Sequence, residues 1–259
     1  MKKIYCLLYL IICINYSQAQ TLLAHYPLNG NANDVIGTLN GTVTGASLTN
    51  DRINNPNSAY SFDGINDNIN LGNSSVLRPT TGLTVSVWFE LNSTGAISGR
   101  NLVSCTENAG YNITYNQANH SIGGAVRRNG IYSPVTTSAV PYDNTGWHFA
   151  CLTYDGRYTK LYLDGILIGT DDAGAIYPIT YVNNNTYIGA EPTTGNGIDA
   201  NYYYKGKLDD VKIYNGAISI SQVQTEYFQN VTTHSLHSGN GIIGQTDTQV
   251  KILVGPANT

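Results

Sequence analysis

The chain has 259 residues, only 12% of them charged, with 27 Gly, 20 Tyr and a single Met. The net charge is −4 and no basic stripe is present, which excludes nucleic acid as a partner. Few charges, many turn formers and many Tyr, Thr, Val and Ile point to an all-β protein long enough for one large sandwich with a full core.

Residues 1–19 read as a signal peptide. Lys2 and Lys3 form a positive start, and Ile4 to Ile14 is almost wholly apolar yet too short to span a bilayer comfortably. Ser17-Gln18-Ala19 puts small residues at both specificity positions of a signal peptidase. Cleavage there removes two lysines and no acids, taking the charge from −4 to −6 and leaving no membrane span. The expected location is secreted, extracellular or at the cell surface. Cys105 and Cys151 remain of the four cysteines. They form either a disulfide or two buried thiols, because a sequence does not measure the Cα separation a bridge needs.

The strands follow in order. Leu22 to Leu28 is the first, and Asn31-Ala32-Asn33-Asp34 after it is a polar loop. Gly41 to Ser47 is an edge segment, and Ala59 to Phe62 turns at Asp63-Gly64 into Asp67 to Leu71. In Leu83 to Leu91, Leu83, Val85, Val87 and Phe89 share parity while Trp88 faces the other way. Asn101 to Cys105, Tyr111 to Tyr115 and Ser121 to Arg127 form a meander, followed by a weaker strand over Val135 to Val140.

Trp147 to Tyr154 then runs through a turn at Asp155-Gly156 into Lys160 to Leu163 and a second turn at Asp164-Gly165. Asp-Gly supplies the positive φ values of tight hairpin turns. Thr186 to Ala190 and Lys205 to Tyr214 complete the set. One short C-terminal helix is predicted over Ser219 to Gln229, opening with a capping-box spacing, Ser219-x-x-Gln222. Residues 231–259 are polar and Gly-rich and read as a linker or truncated tail, with residues 20–230 as the folded domain. The pattern predicts a two-sheet antiparallel β-sandwich of jelly-roll type.

Four segments carry a family resemblance: His25 to Asp34, Ala59 to Asp67, Trp147 to Gly165, and Gly206 to Ser219. In this order and spacing they resemble the laminin-G-like, concanavalin A-like jelly-roll domains of secreted bacterial proteins, the LamG/pentraxin superfamily. That fold hosts lectins, adhesion modules and glycosidases alike.

The resemblance implies a structural calcium where the first strand's loop meets the last long strand. The oxygen donors in the matching segments are Asn29, Asn31, Asp34, Asp63 and Asp209, with the Gly64 carbonyl. Calcium takes six to eight oxygens, and such loops can supply them. The alternative is that these residues only make turns and caps.

Glycan binding would use aromatic faces with Asn, Asp, Gln and Arg. Tyr111 and Tyr115 share a strand face, Arg127, Arg128, Asn129 and Tyr132 follow on the next turn, and Tyr202, Tyr203 and Tyr204 end the last long loop. Tyr111, Tyr115, Arg127, Tyr132 and Tyr203 are the candidate ligand residues.

Catalysis is not expected. Glucanases of the resembling family carry Glu-x-Asp-x-x-Glu, and Glu90, Glu107, Glu191 and Glu226 lack that context. Asp209 and Asp210 are adjacent, so a regular strand would point them to opposite faces. His234 and His237 have a metal-like spacing in a polar tail without companions. His25 and His148 read as hydrogen-bonded structural residues. The sequence thus implies a secreted, non-catalytic carbohydrate-binding domain whose partner is a carbohydrate or glycosylated surface. The rivals are an adhesion module for an extracellular protein and, less favoured, a glycoside hydrolase.

Overall fold

A computed structural model describes residues 20–91, 100–116, 120–136 and 145–229. The predicted signal peptide, the tail with His234 and His237, and positions 137–140 of one predicted strand lie outside the described residues.

The strands are β1 (Thr21–Tyr26), β2 (Thr42–Thr44), β3 (Ser47–Thr49), β4 (Ala59–Asp63), β5 (Asn68–Asn70), β6 (Leu83–Leu91), β7 (Arg100–Ser104) and β8 (Tyr111–Asn116). They continue with β9 (Ser121–Arg128), β10 (Ile131–Thr136), β11 (Trp147–Tyr154), β12 (Tyr158–Leu163), β13 (Ile166–Asp172), β14 (Tyr187–Ile188) and β15 (Lys205–Asn215). One helix, α1 (Ile220–Phe228), follows. The larger sheet has the order β13-β12-β11-β6-β15-β4-β3, with β1 also on β15; the smaller has β10-β9-β8-β7-β14-β5-β2. Every strand pairing among the described residues is antiparallel, as the strand pattern predicts.

Parity decides the layers. Leu83, Val85, Val87 and Phe89 of β6 enter the core between the sheets with Ile113, Ile122, Val126 and Leu152. Trp88 faces out with Phe149, Cys151, Tyr162 and Tyr214, where α1 covers them with Val223 and Tyr227. Trp88 stacks on Tyr227 at 5.5 Å between centroids. The capping box at Ser219 and Gln222 is present in full.

One turn stands as expected and two local expectations change. The β12–β13 turn is the two-residue Asp164-Gly165 turn, with φ of 50° and 77°. The β11–β12 turn takes in Arg157 as well, because Asp155 Oδ1 accepts from the backbone N–H of Arg157 and Tyr158. β10 starts at Ile131 rather than Val135, because Asn129 and Gly130 both adopt positive φ and make a tight hairpin with β9.

Cys105 and Cys151 are free, which corrects the disulfide alternative. Cys105 lies in the core between the sheets and Cys151 under α1. The larger sheet separates the two thiols. Burial pushes both thiols up, so both stay protonated.

β15 changes partner along its length. Lys205 to Leu208 pair with β4, and Val211 to Asn215 pair with β1. Between them the register with β6 shifts, and Asp210 sits at φ 49°. This bulge overturns the expectation that Asp209 and Asp210 point apart. Arg52, from the β3–β4 loop, reaches both: Nη1 lies 2.6 Å from Asp209 Oδ2 and Nη2 3.6 Å from Asp210 Oδ2.

Candidate functional site

The outward face of the smaller sheet carries a groove of about 340 Å³. Alternation puts Asn112 and Thr114 of β8, Gly123 and Ala125 of β9, and Tyr132, Pro134 and Thr136 of β10 on that face. The floor is deep because Gly123 has no side chain. A Cβ there would meet the Thr136 and Thr114 methyls at 3.1 and 3.7 Å.

One wall comes from the loop joining β14 to β15. Thr193 N–H donates to Gly197 O and Asp199 N–H to Glu191 O, folding the segment back on itself. Asn101 N–H then donates to Tyr202 O, fixing the loop to β7. The result brings Glu191 and Tyr202 to the groove.

Glu191 is held from both sides. Asn101 Nδ2 donates to Oε2 at 2.7 Å and Thr106 Oγ1 to Oε1 at 2.9 Å. Asn112 Nδ2 in turn donates to Asn101 Oδ1 at 3.2 Å. Asn112 Oδ1 is buried with no hydrogen-bond partner, so one acceptor at the end of this relay is unspent. Burial raises the Glu191 carboxyl above the usual carboxylate range, and the charges of Glu107 and Asp199 push the same way against its two donors.

The predicted ligand residues separate. Tyr132 lines the groove, its hydroxyl accepting from Ala109 N–H, and Arg127 lies over its ring at 5.0 Å. Tyr111 and Tyr115 do not belong to the surface: both are buried in the core, and Tyr111 donates to Leu77 O. Ile113 shares their parity and is the signal that this face is the core face. Tyr202 rather than Tyr203 lines the groove, and Tyr204 is fully buried. Arg128 pairs with Asp171 instead of facing the groove. Asn101, Thr106, Asn112, Gly123 and Glu191 were not singled out. The alternation of Asn112 and Thr114 with Tyr111, Ile113 and Tyr115 carried that signal for β8; the approach of Glu191 is tertiary.

The calcium set is not assembled. Asp34 accepts from the backbone N–H of His25, Ile36, Gly37 and Leu39. Burial opposes its ionisation, but those donors hold the carboxyl below its ordinary value. Asp63 Oδ1 accepts from Ile65 and Asn66, and Asn31 Oδ1 from Asn33. Gly64 makes the turn at φ 79°. Asn29 and Asp209 line a second cavity of about 290 Å³, where Arg52 supplies the positive charge beside Asp209. Among the described residues no three His, Cys, Asp or Glu side chains form a group able to hold a metal. Of the named donors, Asn31, Asp34 and Asp63 thus serve backbone N–H groups of their own turns, and Asp209 serves Arg52. His25 pairs with Asp210 at 2.6 Å and His148 with Asp164 at 2.8 Å, both structural as expected.

The fold has solved relatives. The binding domain of Paraclostridial Mosquitocidal Protein 1 is 16% identical with a TM-score of 0.64, over 80% of this chain and 52% of that one. The botulinum neurotoxin serotype G binding domain is 14% identical with a TM-score of 0.63, over 83% and 53%. The chain thus spans about half the length of these two domains. Domain 4 of AbnA, a GH43 extracellular arabinanase from Geobacillus stearothermophilus, solved in complex with arabinotriose, is 20% identical with a TM-score of 0.58, over 80% and 98%. None of the curated proteins matches the chain. The family described as Laminin_G_3, concanavalin A-like lectin/glucanases superfamily, matches over residues 63–224. With its jelly-roll sheets and that match over more than half its length, the chain belongs to the Laminin_G_3 family of the concanavalin A-like lectin/glucanases superfamily.

Proposed function

We propose that this protein is an exported, non-catalytic carbohydrate-binding domain whose ligand lies in the groove across β7 to β10. The observation that carries the reading is Glu191, held by Asn101 and Thr106 in a groove whose floor is cleared by Gly123 and whose lining includes Tyr132 and Tyr202. Sugars need this combination of hydrogen-bond acceptors for hydroxyls and aromatic surface for their C–H faces. The arabinotriose complex of the similar arabinanase domain supports the ligand class. Binding rather than hydrolysis rests on the lining: Glu191 is the one carboxyl lining the groove among the described residues, and hydrolysis uses two, about 5 to 9.5 Å apart. Export rests on residues 1–19.

The test is a glycan-binding screen on the purified chain, with the same samples assayed for released reducing sugar. Saturable binding without sugar release is expected. The Gly123→Leu variant, which fills the floor, should bind nothing while still folding, as a cooperative melt would show. Sugar release would overturn the non-catalytic reading. No binding by the folded protein would move the weight to protein recognition.

A further inference from the structure

Resting on the glycan-binding reading, we infer that the groove selects uncharged glycans presenting neighbouring hydroxyls and rejects those carrying carboxylate or sulfate groups. Two independent features of the groove lead there.

The first is its charge. Glu191 lines the groove, and the carboxylates of Glu107 and Asp199 act on both Glu191 and Tyr202. No Lys, Arg or His lines it among the described residues. The guanidinium of Arg127 is held over the Tyr132 ring. A ligand anion beside Glu191 would therefore meet negative charge, while the Arg127 cation stays outside the lining against Tyr132. One like charge brought within about 5 Å of Glu191, at an effective dielectric near 20, lowers affinity about a hundredfold.

The second is its hydrogen-bond inventory. Each Glu191 oxygen accepts one protein donor, and a carboxylate has about four acceptor sites, so capacity for two more donors remains. The Asn112 and Asn101 amides each spend one of their two N–H donors within the relay that holds Glu191. Glu191 therefore offers the groove two open acceptor sites held at fixed positions. Two vicinal hydroxyls on a sugar ring, both donors, match those two sites of Glu191. Uronates and sulfates bring acceptors alone at the charged position, which leaves buried acceptors facing acceptors. The volume, near the lower end of the roughly 300 to 1,000 Å³ of small-molecule sites, suits a short glycan segment.

The experiment is calorimetric titration of the full chain with arabino-, xylo-, cello- and manno-oligosaccharides, and with oligogalacturonate, sialyllactose and heparin fragments. At least one neutral sugar should bind, with every acidic one weaker by about a hundredfold. Glu191→Gln keeps the size and an acceptor but removes the charge, and should close most of that gap. In the wild type, 1 M salt should narrow it too, a result that needs no variant to fold. Acidic glycans binding as tightly as neutral ones would overturn the inference and leave the glycan reading standing. A gap unchanged by both Glu191→Gln and salt would overturn the electrostatic basis. No glycan of either class bound by folded protein would overturn the glycan reading, and the inference with it.

Discussion

The Arg52 guanidinium donates to Asp209 at 2.6 Å, on the short stretch of β15 that neither β4 nor β1 covers. Asp209 is 2% exposed and the Arg52 side chain 9%, so the pair closes the seam almost out of water. The same guanidinium lies 4.6 Å from the Trp88 ring, joining the β3–β4 loop to the outer face of the larger sheet. Removing one member of such a pair costs far more than the pair contributes over an apolar replacement. Arg52→Met should destabilise the fold by about 3 kcal/mol, and Arg52→Met with Asp209→Asn by clearly less. Urea unfolding of the three proteins checks this; equal losses in the single and double variants would refute it.

Stability should fall as pH rises from about 4 to 7. Burial pushes the Asp209 carboxyl from 3.8 up to about 7, against the pull of Arg52. A raised folded-state pKa means that the native protein binds the proton more tightly than the unfolded chain. Its contribution is complete below the unfolded value and is lost as pH rises through the folded one. Glu191, also raised by burial, has the same sign. Asp209→Asn should flatten the slope of melting temperature against pH in that window.

Asp34 behaves in the opposite sense. Its lowered carboxyl contributes stability above its unfolded value of 3.8 and loses it as pH falls through the lower folded value. Asp34→Ala leaves four backbone N–H groups without their acceptor and should cost about 2 to 4 kcal/mol at pH 7. The cost should shrink in acid, which denaturation at pH 3 and pH 7 measures. Because its oxygens serve the backbone, melting with calcium and with chelator should coincide.

The two classes of tyrosine give different signatures. Tyr132→Ala or Tyr202→Ala should weaken glycan binding about tenfold, since each removes an aromatic face from the groove. Tyr111→Phe should leave binding untouched and cost about 1 kcal/mol of stability, the bond from its hydroxyl to Leu77 O. Binding loss in Tyr111→Phe would contradict its place in the core.

Both thiols of the described domain should resist alkylation in the native protein and react fully once it is unfolded, because burial keeps Cys105 and Cys151 protonated and unreachable. Reducing agent should not change the melting temperature.

The sequence by itself determined the sandwich. A strand's period of two makes Leu83, Val85, Val87 and Phe89 one face and Trp88 the other, and Asp164-Gly165 and Ser219-x-x-Gln222 fix a turn and a helix start through local bonds alone. The structural roles of His25 and His148 were also legible, although their partners were not. Tertiary structure decided everything that depends on distant segments meeting. Tyr111 and Tyr115 carry the same residue type as Tyr132, yet the side on which the second sheet packs makes the first two core and the last one surface. A single left-handed residue, Asp210, turns two adjacent carboxylates toward one guanidinium, and no periodicity announces a bulge. Glu191 reaches Asn101 across 90 positions because the β14–β15 loop folds back onto β7. Local propensity is written in neighbouring residues, whereas a binding groove is written in long-range packing.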